Sequence, residues 1–251
     1  ISSNFRFAGM SYTYSDDYGQ SWQPLESLPS GPFDDLYDGQ DRFVGVSPHG
    51  RIVTLSDGTA LMSVYGTPDP AYTGPLTIPA GTASMAGVLR STDNGLTWGD
   101  PSLIMARSGA LPYEETSLCL LPGDKLLAET RTPAGNVVQY TSDDLGRTWE
   151  GPTQLTEAGQ HPGSAFQLAD GTLMATWGNR RSPYGAMAMI STNGGKTWDY
   201  DRRVSLAWDA SNADCGYPSI AQAGDGSIVV TYYAYPHAAV YAVRFTEDQF
   251  M

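Results

Sequence analysis

The chain has 251 residues, with 14 Lys and Arg against 27 Asp and Glu, for a formal net charge of −13. That balance argues against nucleic acid as a partner, and no apolar run is long enough to span a membrane. With 28 Gly, 17 Pro, 15 Tyr and only 16% charged residues, the composition favours many short strands joined by turns over long helices.

In chain order, the first recognisable unit is the octet SDDYGQSW at 15–22. It recurs as STDNGLTW (91–98), SDDLGRTW (142–149) and STNGGKTW (191–198). Each reads as a hairpin turn. Gly supplies a positive φ, Asp or Asn and the Ser/Thr hydroxyls bond the turn's own amides, and Trp opens the next strand over a buried ring. One carboxylate per turn, replaced by Asn193 in the last copy, is poor calcium ligation, so the octets are expected to be structural and no metal is expected. Within 1–30 the pattern gives only a strand C, an octet and a strand D.

Four longer segments follow. GRIVTLSDGTALMSVYG (50–66), TSLCLLPGDKLLAETRT (116–132), GSAFQLADGTLMATWGN (163–179) and PSIAQAGDGSIVVTYYA (218–234) each predict a strand A, a tight Asp/Gly turn and a strand B. TPDPAYTGPLTIPAGTASM (67–85) reads as an inserted loop after the first pair. A third strand C follows each pair, as in GAMAMIS (185–191), then the octet, then D. A repeating four-stranded antiparallel unit of about 50 residues is one propeller blade. The expected fold is all-β, a β-propeller of five or six blades, in one domain over 1–251. Neither Cys119 nor Cys215 belongs to a disulfide framework; Cys119, inside an apolar run, is expected to be a buried small hydrophobe.

Antiparallel alternation assigns the two ends of a blade. The octets join C to D at the bottom, so the starts of A and the ends of B meet at the top, around the central funnel. Those positions carry His49 and Arg51, then Tyr65, in the first full blade. They carry Glu114, Glu115 and Arg131 in the second, and His161, Arg180 and Arg181 in the third. The last contributes Asp214, Tyr217, Tyr232, Tyr233 and Tyr235. Arginines gathered on the rim of an acidic protein suggest an anion site, because a guanidinium grips a carboxylate with two parallel bonds. Each residue also has a plainer reading: Glu115 pairing with Arg131 as structure, Asp214 capping a turn, His161 bonding backbone, the tyrosines packing.

The octets resemble the Asp-boxes of the sialidase (neuraminidase) superfamily, and the likeness runs from residue 15 to about 246. EETSLCLLPGDKLLAETRT is similar to the family segment in which a Glu starts one strand and an Arg ends the next. The resemblance then implies Glu115 as the base and Arg131 as one of three carboxylate-binding arginines. Arg180 or Arg181 is implied as another, with Arg51 as a further candidate. DGSIVVTYY resembles the segment of the nucleophilic tyrosine, with Tyr232 or Tyr233 in the role. Asp214, His161 and Tyr217 are second-tier substrate contacts. The implied activity is removal of a terminal acidic sugar from a glycan, without a cofactor, in a secreted or periplasmic protein; a glycosidase for another acidic sugar and a non-catalytic carbohydrate-binding or scaffold propeller remain alternatives. The family's Arg-Ile-Pro motif and its acid/base Asp have no match here, and Asp69 in the inserted loop does not align with that Asp. The first family blade and half of the second are missing, which leaves either a trimmed chain or a smaller ring of about five blades.

Overall fold

A computed structural model describes residues 10–24, 26–28, 33–34, 47–69, 72–109, 114–235 and 239–249. Tyr113, which opens the Glu114–Glu115 segment, lies outside them. The described residues are all-β, a propeller of four antiparallel blades preceded by a two-stranded ribbon. The ribbon, β1 (Met10–Tyr12) and β2 (Glu26–Leu28), flanks the first octet as strands C and D. Blade I comprises β3 (Phe33–Asp34), β4 (Ser47–Pro48), β5 (Val53–Thr54), β6 (Ala60–Pro68), β7 (Ser84–Ser91) and β8 (Gly99–Arg107). Here β4 and β5 are two pieces of one strand A, both paired to β6.

Blade II is β9 (Thr116–Leu121), β10 (Lys125–Arg131), β11 (Val137–Ser142) and β12 (Glu150–Gln154). Blade III is β13 (Gln160–Gln167), β14 (Leu173–Asn179), β15 (Gly185–Ser191) and β16 (Val204–Ala207). Blade IV has β17 (Cys215–Gln222), β18 (Ile228–Ala234) and β19 (Ala239–Phe245). Strand order is sequential in blades II, III and IV, as short antiparallel connections dictate; in blade I, β3, β4 and β5 all pair with β6 and only β6–β8 follow in sequence. All four A–B pairs predicted from sequence are present.

The octets close on themselves. In the second copy, Gly95 N donates to Ser91 Oγ at 2.8 Å, Thr97 N to Asp93 Oδ1 at 2.9 Å and the Thr97 hydroxyl to Asp93 Oδ2 at 2.6 Å. The other copies repeat these bonds, with Asn193 Nδ2 donating to Thr197 in the last. Bonds to its own turn hold Asp93 down to about 2, so the carboxylate oxygens are committed. The turns need two successive left-handed residues: Tyr18, Asn94 and Leu145 stand at φ near 60 before Gly19, Gly95 and Gly146.

The third and fourth octets also dock on the preceding blade. Arg90 of β7 donates to the carbonyls of Leu145 (3.1 Å) and Gly146 (2.8 Å). Gln139 of β11 donates to Gly195 O at 2.9 Å and accepts from Trp198 Nε1 at 2.8 Å.

Apolar clusters lie between consecutive blades. Leu61, Val88, Leu118 and Leu126 join I to II, Leu127, Val137, Leu173 and Trp177 join II to III, and Met174, Ile190, Ile220 and Val230 join III to IV. Cys119 is buried among them, and burial pushes its thiol up to about 12. Arg51 does not stand on the rim. It runs inward from blade I, donates to the Ile220 carbonyl of blade IV and lies 4.8 Å from the Phe166 ring centre of blade III. That corrects its expected place among the carboxylate-binding arginines: the chain between β4 and β5 directs it into the ring rather than upward.

Candidate active site

Glu115 sits immediately before β9, and Arg131 closes β10 beside it. Their backbones are bonded, Arg131 N to Glu115 O at 3.0 Å, so the side chains share one end of one hairpin. Arg131 Nη1 donates to both carboxylate oxygens, at 3.0 and 3.2 Å. Glu115 is only 4% exposed. A carboxylate so buried requires partners, and it has a second one: Tyr217 OH donates to Oε1 at 2.7 Å. Glu114 points the other way, fully buried, accepting from Ser84 and paired with Arg107.

Tyr217 reaches across from blade IV on an unusual backbone. Its φ is +52, and Gly216 before it has φ +114. The β17–β18 register shifts between Gly216 and Ser219, a bulge that re-aims the side chain. Gly216 and Gly178 lie back to back, and a Cβ on either would fall within 2.8 Å of the other's Cα. Only glycine on both strands lets blades III and IV approach closely enough to hold the bulge. The phenol keeps its proton: burial first, then the bond to Glu115, raise its pKa.

Around this pair stand three further groups. The Arg180 guanidinium lies 5.6 Å from the Tyr217 ring centre, and its Nε has no hydrogen-bond partner among the described residues. His49 meets the Tyr217 ring edge-on at 5.9 Å. His161 is held down to about 4, by burial first and then by Arg131 and Arg180; it is neutral and adds no charge between the two guanidinium groups. Tyr65, with its hydroxyl pushed up to about 12 by burial and by Glu115, lies on the same side.

The two tyrosines expected to meet Glu115 do not. Tyr232 is buried (4% exposed), stacked on Tyr241, with its hydroxyl on Asp209 at 3.3 Å. Tyr233 faces the site, its ring 5.7 Å from that of Tyr217, but its hydroxyl is bonded to Asp214. Strand alternation explains why at most one of them can face the funnel; the expectation followed the resemblance of DGSIVVTYY on β18, whereas the bulge brings a side chain of β17 to Glu115. Gly216 and Pro218 on either side of Tyr217 were the available signal of broken register. Arg181 is likewise turned outward, ion-paired with Glu157 at the surface, which leaves Arg180 as the arginine of that pair at the site. Among the described residues, no group of three or more His, Cys, Asp or Glu side chains is arranged to hold a metal.

The sequence matches the model of the BNR repeat-like domain over residues 2–230. No curated protein matches it. Among solved structures, a protein of unknown function from Dyadobacter fermentans is similar, with a TM-score of 0.72 and 22% identity over 94% of this chain and 63% of that one. The intramolecular trans-sialidase of Ruminococcus gnavus, in complex with oseltamivir carboxylate, has a TM-score of 0.65 and 18% identity over 96% of this chain and 50% of that one. NanB sialidase from Streptococcus pneumoniae has a TM-score of 0.66 and 18% identity over 96% of this chain and 36% of that one. The chain therefore spans from just over a third to just under two thirds of these relatives' length.

Proposed function

The chain belongs to the BNR repeat-like domain family, and we propose that within it this protein is a sialidase-type glycoside hydrolase that removes a terminal acidic sugar. The observation that carries the reading is the Tyr217–Glu115 hydrogen bond of 2.7 Å beside two guanidinium groups. In this reading Arg131 and Arg180 bind the substrate carboxylate, and Tyr217 attacks the anomeric carbon. Glu115 takes the phenolic proton as the new C–O bond forms and the bond to the leaving oxygen breaks, that oxygen departing as a phenolate or taking its proton from solvent water. Water then releases the sugar from Tyr217.

A tyrosine suits this substrate for an electrostatic reason. The anomeric carbon of such a sugar already bears a carboxylate, which would repel a second carboxylate acting as nucleophile. A neutral phenol meets no such repulsion, and its raised pKa is offset by a base within hydrogen-bond reach. The pairing departs from the two-carboxylate scheme of most glycosidases. The likeness to a trans-sialidase seen with a carboxylate-bearing ligand is consistent with this reading.

The test is turnover of fluorogenic α-sialosides and uronides, whose phenolate leaving groups depart without protonation. The expected outcome is release from the sialoside, a loss in kcat of about 10³-fold for Tyr217→Phe, a comparable loss for Arg131→Ala, and near-normal rates for Tyr232→Phe and Tyr233→Phe. Full activity in Tyr217→Phe would overturn the assignment, and release from uronides alone would change the sugar. The second reading, a binding propeller without chemistry, rests on the rim carboxylates being engaged, Glu115 by Arg131 and Tyr217 and Asp214 by Tyr233. It would show saturable glycan binding, no product and indifference to Tyr217→Phe.

A further inference from the structure

A second concavity, of about 390 Å³, opens on the side of blade III away from the funnel. It shares strands with the site but not side chains. His161 faces the arginines while its neighbour Gln160 lines the groove, and Arg180 covers Tyr217 while Asn179 and Arg181 line the groove. Tyr200, 44% exposed, forms a wall and ties it to blade II through its hydroxyl on Gln154 O at 3.3 Å.

The chemistry of the lining restricts the ligand. Gln160 and Asn179 are buried amides, 5% and 6% exposed. Their positions are fixed by Glu157 N donating to Gln160 Oε1 (3.1 Å) and Asn179 Nδ2 donating to Arg181 O (3.0 Å). Arg203 donates from Nε to Tyr200 O at 2.9 Å, and its terminal nitrogens are uncommitted among the described residues. Charge is balanced: Arg181 and Arg203 are matched by Glu157, bound to Arg181, and by Asp201 in the lining. A balanced groove in a chain of net charge −13 offers no attraction to an anion. What it offers is the Tyr200 side chain, the Ser182 hydroxyl, the terminal nitrogens of Arg203 and the Asp201 carboxylate, over a wall whose Gln160 and Asn179 amide hydrogens are bonded within the protein, in a volume within the ~300–1,000 Å³ of small-molecule sites. Those features suit a ring with one apolar face and many hydroxyls.

We propose that this groove on blade III is a non-catalytic binding site for a neutral hexose unit of a glycan. The assignment goes beyond the funnel chemistry and does not depend on it, because an uncharged sugar has no carboxylate for Arg131 and Arg180.

Saturation-transfer NMR with lactose as probe tests it, on the wild-type chain and on Tyr200→Ala, Arg203→Gln and Arg180→Ala. Tyr200 is half exposed with one side-chain bond, and Arg203 is a surface residue, so both groove variants are expected to fold; circular dichroism checks this. The expected result is lactose binding near about 1 mM, unchanged in Arg180→Ala and weakened at least about five-fold in both groove variants. No lactose signal in the wild type overturns the proposal. So does a signal that survives both groove variants, or one that disappears in Arg180→Ala, which would place the sugar in the funnel. N-acetylneuraminic acid is the counter-probe: a response to it that Arg203→Gln abolishes, without one to lactose, would make the groove an anion site and overturn the neutral assignment. Sialoside turnover, measured separately, reports on the funnel whatever lactose does.

Discussion

A carboxyl group with no polar neighbour keeps its proton. Glu129 on β10 is fully buried, both oxygens lack hydrogen-bond partners among the described residues, and burial pushes its pKa up to about 8. It fits because residue 163 is glycine; a Cβ there would collide with the carboxylate. A carboxyl raised above its unfolded pKa binds more protons in the native state. Stability from this group is therefore fully present below the unfolded value near 4.5 and is lost as pH rises toward 8, by about 1.4 kcal/mol per pH unit. Glu129→Gln should flatten that slope in urea titrations between pH 5 and 8, and a variant as pH-sensitive as the wild type would refute the assignment. His161 carries the opposite sign. Its pKa is depressed to about 4, so it costs stability as pH falls from the usual histidine range toward 4. His161→Asn is expected to be less acid-sensitive over that window, read as the change in melting temperature between pH 7 and pH 4.5. Individual residues were the least legible level of the sequence. The placing of Glu115, Arg131 and the Arg180–Arg181 pair at hairpin ends was reachable because those ends are set locally. The Tyr217 contact was not, because it needs a left-handed residue and a glycine-to-glycine approach between two blades.

The strands and turns were legible for the converse reason. An octet satisfies its own amides within eight residues, and an A–B hairpin is set by an Asp/Gly turn, so both leave a complete imprint in a short window. What joins one element to the next did not show. Arg90 binds Gly146 and Gln139 binds Gly195, each across 56 positions, yet one is an arginine and the other a glutamine, and neither stands out in its strand. Arg90 is 5% exposed and also donates to Asp100 O at 2.9 Å and Ser102 Oγ at 3.1 Å. Arg90→Met keeps the volume but leaves those acceptors unpaired, which should cost about 3 kcal/mol, measured as a lower urea midpoint at unchanged slope. A shift below a few tenths of a kcal/mol would mean water replaces the guanidinium. Leu145, left-handed at φ 63 and 40% exposed, is a local defect of the same turn. Leu145→Asn should recover up to about 1 kcal/mol, because Asn tolerates that conformation better than Leu.

At the scale of the whole molecule, the described blades form a series in which the apolar clusters connect each blade to its sequence neighbour. A series of that kind has near-additive energetics, so its parts are free to open one at a time. Arg51 breaks the pattern. Its guanidinium runs from blade I to the Ile220 carbonyl of blade IV and the Phe166 face of blade III, a tie between members that chain connectivity keeps far apart. Opening blade IV alone would strand a desolvated cation, so local opening is penalised until the whole assembly yields. The wild type is accordingly expected to melt in one transition, with fluorescence and circular dichroism coincident. Arg51→Met should separate the two signals, as blade IV gains freedom to detach first; coincident curves in the variant would show that the other contacts between blades, the Tyr217–Glu115 bond included, set the cooperativity without Arg51. If the tie acts as expected, one buried cation helps set how many independent unfolding units the protein has, and hence how often a protease meets a partly opened chain.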